Sequence, residues 1–471
     1  MEKMTVAEIA KAVGGKLLCG DGNTEVSYVC IDSRDAHEGA LFVPIIGERV
    51  DAHKFIGQVF EQGAAAVFTS RGEIVDNTKP HILVEQTEKA LGQLAVYYKS
   101  RFQIPVVGIT GSVGKTSTKE MIAAALSTKY DVLKTAGNQN SNIGVPLTLF
   151  RIEKHHQIAV IEMGISDFDE MAELAEFARP DTAVVTNIGV AHLAQFKTRE
   201  NIMKEKLQIA RFFTKENKLF VNGDNDMLAQ INPVNMTADV EFFGTDKNMA
   251  YHAEDICIED GRQCFTFVGG GYTQRVRMLQ LGLHNVYNGV VALAVALQYG
   301  IEPAQAKVGV ENYTGIAMRQ QVNHMKDGIK IIDDTYNASP DSIRSAVEVL
   351  VSLDNTGRKI ACLADVLELG DTSWQCHYDT GVAIANTGID ELVTVGEMAK
   401  AYAKGVNDTN ASVVTHSFDN NAEAAAYLET AISAGDALMC KGSRGMHQEE
   451  IVEHMIKILK SAKKSSILMN D

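Results

Sequence analysis

The sequence lacks the segments that would place a protein in an oxidising compartment or in a membrane. Its seven cysteines are scattered and form no CxxC pair, so neither a disulfide framework nor a structural zinc site is predicted. The longest apolar run, near residues 289–297, has about half the length that a membrane span needs. The first residues contain no apolar core of the signal-peptide type. We therefore expect a cytoplasmic protein with reduced thiols and no membrane insertion.

The sequence also lacks any cluster of lysine and arginine long enough to bind nucleic acid. Its 44 Lys and Arg residues are outnumbered by 60 Asp and Glu residues, which gives a formal net charge of -16. An acidic chain of this kind repels a polyphosphate backbone. We therefore expect a small-molecule ligand and no nucleic-acid partner.

Length and patterning indicate three α/β domains. A chain of 471 residues exceeds what a single hydrophobic core usually supports. Short apolar runs alternate with segments of helical periodicity, a pattern typical of parallel α/β sheets. We place the domains at residues 1–98, 99–312 and 313–471, and we expect the third to be a doubly wound, Rossmann-like sheet. A polar, glycine-marked section, 241–278, is predicted to add antiparallel hairpins to the central domain.

The segment 105–117 predicts a phosphate-binding loop. A short apolar strand leads into a glycine-rich turn that ends in Gly-Lys-Thr, at the start of a predicted helix. Backbone N–H groups from Gly111 to Lys115 would bind phosphate oxygens, the lysine would reach the β and γ phosphates, and the threonine hydroxyl would bind Mg²⁺. A glycine-rich turn without a nucleotide is the alternative, since the spacing departs from the usual GxxxxGK[ST] pattern. The residues predicted to contact the nucleotide here are Gly111, Ser112, Val113, Gly114, Lys115, Thr116 and Ser117.

Three polar side chains elsewhere in the central domain are candidates for metal binding. Glu162 ends the apolar run 158–162, so its carboxylate could share Mg²⁺ with Thr116; an ordinary strand-end acid is the alternative. His192 follows a later strand, and Lys206 belongs to a charged helical segment. Taken alone, the histidine is more simply a structural residue and the lysine part of a solvated helix face.

Five short motifs occur in the order seen in one enzyme family, at residues 110–116, 162–164, 187–192, 205–209 and 282–288. In these motifs the chain resembles the Mur ligase superfamily, whose members are ATP-dependent amide-forming ligases of bacterial wall synthesis. The resemblance covers the central domain and continues into both flanks. It implies a small N-terminal domain that binds a UDP-sugar, a central P-loop ATPase domain and a C-terminal domain that receives the amine.

The same resemblance implies two Mg²⁺ ions and a modified lysine. Thr116 and Glu162 match ligands of the first ion, and His192 matches a ligand of the second. Lys206 matches a lysine that is carbamylated in many members, and carbamylation would turn a cation that repels Mg²⁺ into a bridging carboxylate. The side chains expected to act in catalysis are Lys115, His192, Lys206 and Arg319.

The resemblance also implies contacts to ATP from outside the phosphate loop. Asn285 and Asn288 match positions near adenine, where amide groups suit the paired donor and acceptor edge of the base. Asp334 matches an aspartate near the ribose, and Arg319 matches an arginine that reaches the γ-phosphate. Met318 replaces the glycine that usually precedes this arginine.

The two outer domains indicate which branch of the family the chain resembles. Residues 30–34 resemble a uridine-binding domain, whereas 333–340, 363–370 with His377, and 441–446 resemble the branch that adds a terminal dipeptide. The resemblance therefore implies UDP-MurNAc-tripeptide and D-Ala-D-Ala as substrates of a monomeric enzyme. The alternatives are the ligase that adds the third residue, a folylpolyglutamate synthase-like ligase, and a P-loop kinase or regulator. The residues expected to bind the substrates are Ser33, Arg34, Asn138, Asn337 and Ser339.

Overall fold

The computed structural model describes residues 1–47 and 49–465. It contains three α/β domains in chain order, each with its own main sheet, so the predicted fold class is confirmed. Among the described residues, no helix is both long enough and apolar enough to cross a lipid bilayer.

The N-terminal domain is a small mixed sheet whose strands follow one another in the order β2-β7-β6-β5-β4. Its elements are β1 (Met4–Thr5), α1 (Val6–Ala12), β2 (Lys16–Cys19), β3 (Glu25–Val26), β4 (Tyr28–Cys30), β5 (Ala40–Phe42), α2 (Ile56–Glu61), β6 (Ala66–Thr69), β7 (His81–Leu83) and α3 (Thr87–Ser100). Parallel pairing joins β4 through β7, and β2 is an antiparallel edge strand.

Helix α3 connects the N-terminal domain to the central one. One face of the helix carries an apolar stripe of Leu91, Leu94, Ala95 and Tyr98, which is fully buried. The hydroxyl of Tyr98 donates a hydrogen bond of 2.6 Å to the backbone oxygen of Ile152 in the central domain. The helix ends at Ser100, so the boundary that we place after residue 98 falls within its last turn.

The central domain has its strands in the order β16-β15-β14-β13-β12-β11-β8-β10-β9. Neighbouring strands pair in parallel from β9 as far as β14. Strand β15 pairs in antiparallel fashion with β14 on one side and with β16 on the other. The elements are β8 (Val106–Thr110), α4 (Lys115–Leu126), β9 (Val132–Lys134), α5 (Gly144–Leu149), β10 (Ile158–Glu162), α6 (Glu170–Ala178), β11 (Thr182–Val185), α7 (Leu193–Phe196), α8 (Arg199–Leu207), β12 (Lys218–Asn222), β13 (Asp239–Gly244), β14 (Tyr251–Glu259), β15 (Arg262–Gly269), β16 (Tyr272–Met278), α9 (Leu283–Gln298) and α10 (Pro303–Asn312).

The prediction of antiparallel hairpins over 241–278 is right for β14 to β16 and wrong for β13. Strand β13 pairs in parallel with β12, with Leu219 opposite Val240 and Val221 opposite Phe242. Phe243 of this strand is buried in the same apolar cluster as Val290 of α9. The strand therefore belongs to the parallel sheet, and its Phe243 side chain packs in the core that α9 shares.

The C-terminal domain is the second doubly wound sheet that the sequence predicted, in the order β17-β18-β22-β19-β20-β21. Its strands from β18 onward are parallel, and β17 is an antiparallel edge. The elements are β17 (Gln321–His324), β18 (Lys330–Asp333), α11 (Pro340–Ser352), β19 (Lys359–Ala364), α12 (Ser373–Ile384), β20 (Glu391–Val395), α13 (Lys400–Thr409), β21 (Val414–Phe418), α14 (Asn421–Ala431), β22 (Ala437–Lys441) and α15 (Glu449–Ser465).

Candidate active site

A cavity of about 950 Å³ lies between the central and C-terminal domains. Its volume is at the upper end of the range for small-molecule sites. The loops that follow β8, β10 and β11 line it on one side, and those that follow β18, β19 and β22 line it on the other, as expected for the carboxyl ends of parallel strands. The predicted site residues that line it are Ser112, Val113, Gly114, Lys115, Thr116, Ser117, Asn138, Glu162, His192, Asn285, Asn288, Arg319, Asp334, Asn337 and Ser339.

Two glycines give the phosphate loop its shape. Gly111 has a φ of +151°, and a Cβ at this position would lie 1.9 Å from Thr186 Oγ1. Gly114 has a φ of +85° and precedes the first residue of α4. Residues that carry a Cβ atom disfavour this conformation. The first turn of α4 consequently points backbone N–H groups without intrahelical acceptors toward the cavity, as phosphate binding requires.

Two backbone N–H groups of the phosphate loop donate hydrogen bonds within the protein. Ser112 N donates to Asn187 O at 3.0 Å, and Val113 N donates to Asn187 Oδ1 at 2.8 Å. Gly189 N donates in turn to Ser112 Oγ at 2.9 Å. The expectation that every N–H from Gly111 to Lys115 faces phosphate therefore needs correction for Ser112 and Val113, because the loop after β11 already accepts their hydrogen bonds.

Lys115 lines the cavity with its ammonium group against the phosphate loop. Its Nζ donates to Gly111 O at 2.9 Å. Burial lowers the pKa of Lys115, the carboxylate of Glu162 opposes that shift, and the charge of Arg319 adds to it. Negatively charged phosphates beside this amine would favour its protonated form and interact strongly with it in such a desolvated position.

Glu162 has the properties of a ligand for a hard cation. Its side chain is 2% exposed, and Oε1 accepts a hydrogen bond of 2.8 Å from Asn140 Nδ2. Its Oε2 atom is buried without a hydrogen-bond partner among the described residues, and the ammonium of Lys119 lies 3.8 Å away. A buried carboxylate oxygen with unused lone pairs, in the same cavity wall as the Thr116 hydroxyl, fits Mg²⁺.

His192 and Lys206 differ in their access to the cavity. His192 lines it, whereas Lys206 is 2% exposed and is not among the described lining residues. Burial lowers the pKa of Lys206 well below its usual value, and the charge of Lys115 lowers it further. Burial also lowers the pKa of His192; the carboxylate of Glu368 opposes this shift, and the charge of Lys206 adds to it. A neutral imidazole can bind a metal ion and a neutral amine can react with CO₂, so the predicted roles fit these environments.

The two asparagines predicted near adenine are hydrogen-bonded inside the protein. Thr118 Oγ1 donates to Asn288 Oδ1 at 2.6 Å, and Asn288 Nδ2 donates to Asn285 Oδ1 at 3.1 Å. Asn285 Nδ2 donates to Gln320 Oε1 of the C-terminal domain at 3.1 Å. These bonds link the helix of the phosphate loop through α9 to the C-terminal domain, and contact with adenine remains a prediction.

Arg319 enters the cavity from the C-terminal domain on a tight turn. Its guanidinium carbon lies 4.1 Å from the centre of the Tyr336 ring, and its positive charge lowers the pKa of Lys115. Met318 before it has a φ of +62°, so the turn forms in this chain without the glycine that usually precedes the arginine. Asp334 accepts a hydrogen bond of 2.7 Å from Lys441 Nζ beside this turn.

The left-handed backbone of Met318 leads to a prediction about stability. Met318→Gly is expected to raise the free energy of unfolding by about 0.5–1 kcal/mol, because glycine adopts a positive φ without the steric cost of a side chain. Denaturant unfolding of the variant measures the change. Met325→Gly is the matched control: Met325 has a φ of -101°, so the same replacement should destabilise the protein. Equal destabilisation by both changes would contradict the idea of local strain.

Ser33 and Arg34 lie in the N-terminal domain, away from the lining of this cavity as far as the described residues define it. Ser33 is buried, whereas the Arg34 guanidinium is exposed and hydrogen-bonded to Asp32 through Nε at 2.9 Å. These hydrogen bonds lower the pKa of Asp32 to about 2. The structure therefore does not bring these two residues together with the phosphate loop, and their role in substrate binding remains a prediction.

Comparison with known proteins identifies the family that shares this arrangement of domains and cavity. The chain matches the Mur ligase middle domain over residues 109–296, the glutamate ligase domain over 318–444 and the Mur ligase family catalytic domain over 25–99. It is 37% identical over 460 residues to the UDP-N-acetylmuramoyl-tripeptide--D-alanyl-D-alanine ligase of Bacillus subtilis, with 97% of this chain and 99% of that protein covered. The chain belongs to the Mur ligase family. The Escherichia coli Mur ligase of the same name is 31% identical, with 96% and 98% covered.

Solved structures of Mur ligases share the three-domain arrangement. MurF from Acinetobacter baumannii superimposes with a TM-score of 0.90 at 32% identity, covering 97% of this chain and 99% of the other. MurF from Thermotoga maritima in complex with ADP superimposes with a TM-score of 0.83 at 28% identity, covering 92% and 98%. An ADP complex in so similar a Mur ligase supports the use of ATP by this one.

Several side chains of this Mur ligase site were not found from its sequence. Asn140 fixes Glu162, Asn187 holds the phosphate loop, and Gln320 connects Asn285 to the C-terminal domain. Lys441 neutralises Asp334, although only its motif was noted. The polar run 138–142, separated from β9 by three residues, is a signal that could have indicated Asn140, whereas the contacts of the others depend on tertiary structure.

Proposed function

We propose that this Mur ligase uses ATP to join D-Ala-D-Ala to UDP-MurNAc-tripeptide, with ADP and phosphate as the other products. The observation that carries the proposal is one cavity lined by Lys115, by Glu162, whose Oε2 has no hydrogen-bond partner among the described residues, and by Arg319 of the C-terminal domain. Such a site can stabilise charge on a transferred phosphoryl group. The names of its full-length relatives supply the substrates. We also propose that the enzyme acts as a cytoplasmic monomer, since residues of one chain complete this cavity.

The reaction has two steps. A carboxylate oxygen of the tripeptide attacks the γ-phosphorus of ATP, the bond to the ADP oxygen breaks, and an acyl phosphate forms. The uncharged dipeptide amine then attacks the carbonyl carbon, the carbon–oxygen bond to phosphate breaks, and the nitrogen loses one proton to solvent. The first step makes a poor electrophile reactive because phosphate leaves more easily than oxide.

The chain's own residues position the reactants and balance their charge. Lys115 and Arg319 face the γ-phosphate from opposite domains and stabilise the charge that it carries during transfer. Thr116 and Glu162 would hold one Mg²⁺, and His192 with a carbamylated Lys206 a second; the ions would supply further charge neutralisation at the phosphates. Closure of the C-terminal domain over the central one would keep water from the acyl phosphate.

Release of ADP tests the proposed function directly. We expect ADP release only when UDP-MurNAc-tripeptide and D-Ala-D-Ala are both present. Release with UDP-MurNAc-dipeptide and a free diamino acid would instead identify a ligase for the third residue, and release with folate and glutamate a folylpolyglutamate synthase. ADP release that does not depend on any amine would contradict a ligase function.

The proposed division of substrates between domains predicts the effect of Arg34→Ala. This variant should have a raised KM for UDP-MurNAc-tripeptide and an almost unchanged KM for D-Ala-D-Ala, because only the nucleotide end would contact the N-terminal domain. Steady-state kinetics with each substrate varied in turn measure the split. Arg101→Ala at the end of α3, where the guanidinium pairs with Glu8, is the control and should leave both values unchanged. An effect confined to the dipeptide would contradict this division.

A further inference from the structure

The loop between β19 and α12 is held rigidly at the mouth of the cavity. Val366 N donates to Nε2 of the buried His377 at 2.9 Å, and the other ring nitrogen lies 2.6 Å from Ser373 O. Leu367 N donates to Ser443 Oγ at 2.9 Å. Burial lowers the pKa of His377, which favours the neutral ring that can accept the bond from Val366. These contacts give the motif 363–370 and its distant histidine a shared role in fixing this loop.

The rigid loop projects Glu368 into the cavity. Glu368 has a φ of +66°, a conformation that costs free energy in a residue other than glycine and that persists where the surroundings enforce it. Its side chain is 74% exposed, and its Oε2 lies 3.4 Å from Nδ1 of His192 in the central domain. The carboxylate therefore reaches the side of the cavity where the metal-binding residues are predicted.

Glu368 differs from the other acidic residues that the C-terminal domain contributes to the cavity wall. Among the described residues these are Asp334, which is paired with Lys441, and Asp341, which is paired with Arg344. Glu368 has no lysine or arginine partner in the described part of the chain, and its carboxylate pairs with the imidazole of His192. It is thus the acidic group of this wall that is available to a cation.

We propose that Glu368 binds the ammonium group of the incoming dipeptide, which then loses a proton to solvent before the uncharged amine attacks the acyl phosphate. The inference rests on the proposed function and identifies the side chain that receives the second substrate. Lys115 and Arg319 contribute positive charge to the cavity, which would repel an ammonium ion; the carboxylate of Glu368 in the cavity wall offsets that repulsion. Leu367 is 46% exposed and lies close to Gly445, so an apolar surface for an alanine methyl group adjoins the carboxylate.

A comparison of two dipeptides tests this assignment. Glu368→Gln should raise the KM for D-Ala-D-Ala by about 10- to 100-fold, the effect of losing a hydrogen bond between charged groups. The inhibition constant of N-acetyl-D-Ala-D-Ala, which has no ammonium group, should remain nearly unchanged. Glu368→Asp, which keeps the charge, should recover part of the lost affinity. Glu397→Gln is the control, because it alters an exposed carboxylate of the same domain that pairs with Lys400, and it should change neither value.

Two results would overturn the inference while leaving the proposed function intact. Equal changes for both dipeptides would indicate a general distortion of the loop, and an altered Mg²⁺ requirement with an unchanged dipeptide KM would indicate that Glu368 acts on His192. Failure of the wild-type enzyme to release ADP in response to D-Ala-D-Ala would overturn the proposed function itself and the inference with it.

Discussion

Lys115→Ala is expected to lower kcat by about 100-fold or more, the effect of removing one preorganised electrostatic stabiliser. The amine of Lys115 is held against Gly111 at the first turn of α4, where charge on the transferred phosphoryl group would develop. Because that charge is greatest in the transition state, kcat should fall more than the KM for ATP rises. Steady-state rates of ADP release measure both quantities.

Lys129→Ala provides the matched control for this variant. Lys129 follows α4 and is exposed. Its ammonium donates a hydrogen bond to the backbone oxygen of Gly300, a residue that is distant in sequence from the phosphate loop. Its replacement should leave kcat unchanged. Near-normal turnover of Lys115→Ala would contradict the assignment of the phosphate loop.

Lys206→Ala is expected to be nearly inactive, and short-chain carboxylic acids such as acetate should restore part of its activity. The reason is that a carbamate on this buried amine would serve as a metal ligand, which a free carboxylate can replace. Lys206→Arg should stay inactive, since a permanently protonated guanidinium cannot take up CO₂ and would repel Mg²⁺. Rates of ADP release with and without added carboxylic acid measure the rescue.

Lys204→Ala on the same helix separates this role from a general effect of the substitution. Lys204 is exposed whereas Lys206 is buried, so the control should keep its rate and should not respond to acetate. If Lys206→Ala and Lys206→Arg both remain active, the lysine assignment is wrong and the second metal site must be built around His192 alone.

The parts of the site that could be predicted from the sequence alone are those that local patterns determine. The phosphate loop consists of a buried strand, a glycine turn and the start of a helix, in that order. The short apolar run 158–162 forms a strand that ends at Glu162. Lys206 is different, because α8 is charged and shows no apolar stripe that would indicate burial. Only the resemblance to the Mur ligases selected this lysine, and the structure then showed a buried side chain.

The remaining features depend on contacts between segments that are distant in the sequence. Asn187 accepts the N–H groups of Ser112 and Val113 only because the loop after β11 lies beside the loop after β8. Likewise Glu368 reaches His192 across two domains. Neither contact has a local signal, since each residue type is common in loops.

Oxygen transfer tests the central claim, amide formation through an acyl phosphate, most directly. UDP-MurNAc-tripeptide labelled with ¹⁸O in both oxygens of its terminal carboxylate would be incubated with ATP and D-Ala-D-Ala, and the inorganic phosphate analysed by mass spectrometry. The account predicts one ¹⁸O atom in each phosphate released and one in the new amide. Unlabelled phosphate, or ADP release without an amide product, would contradict it.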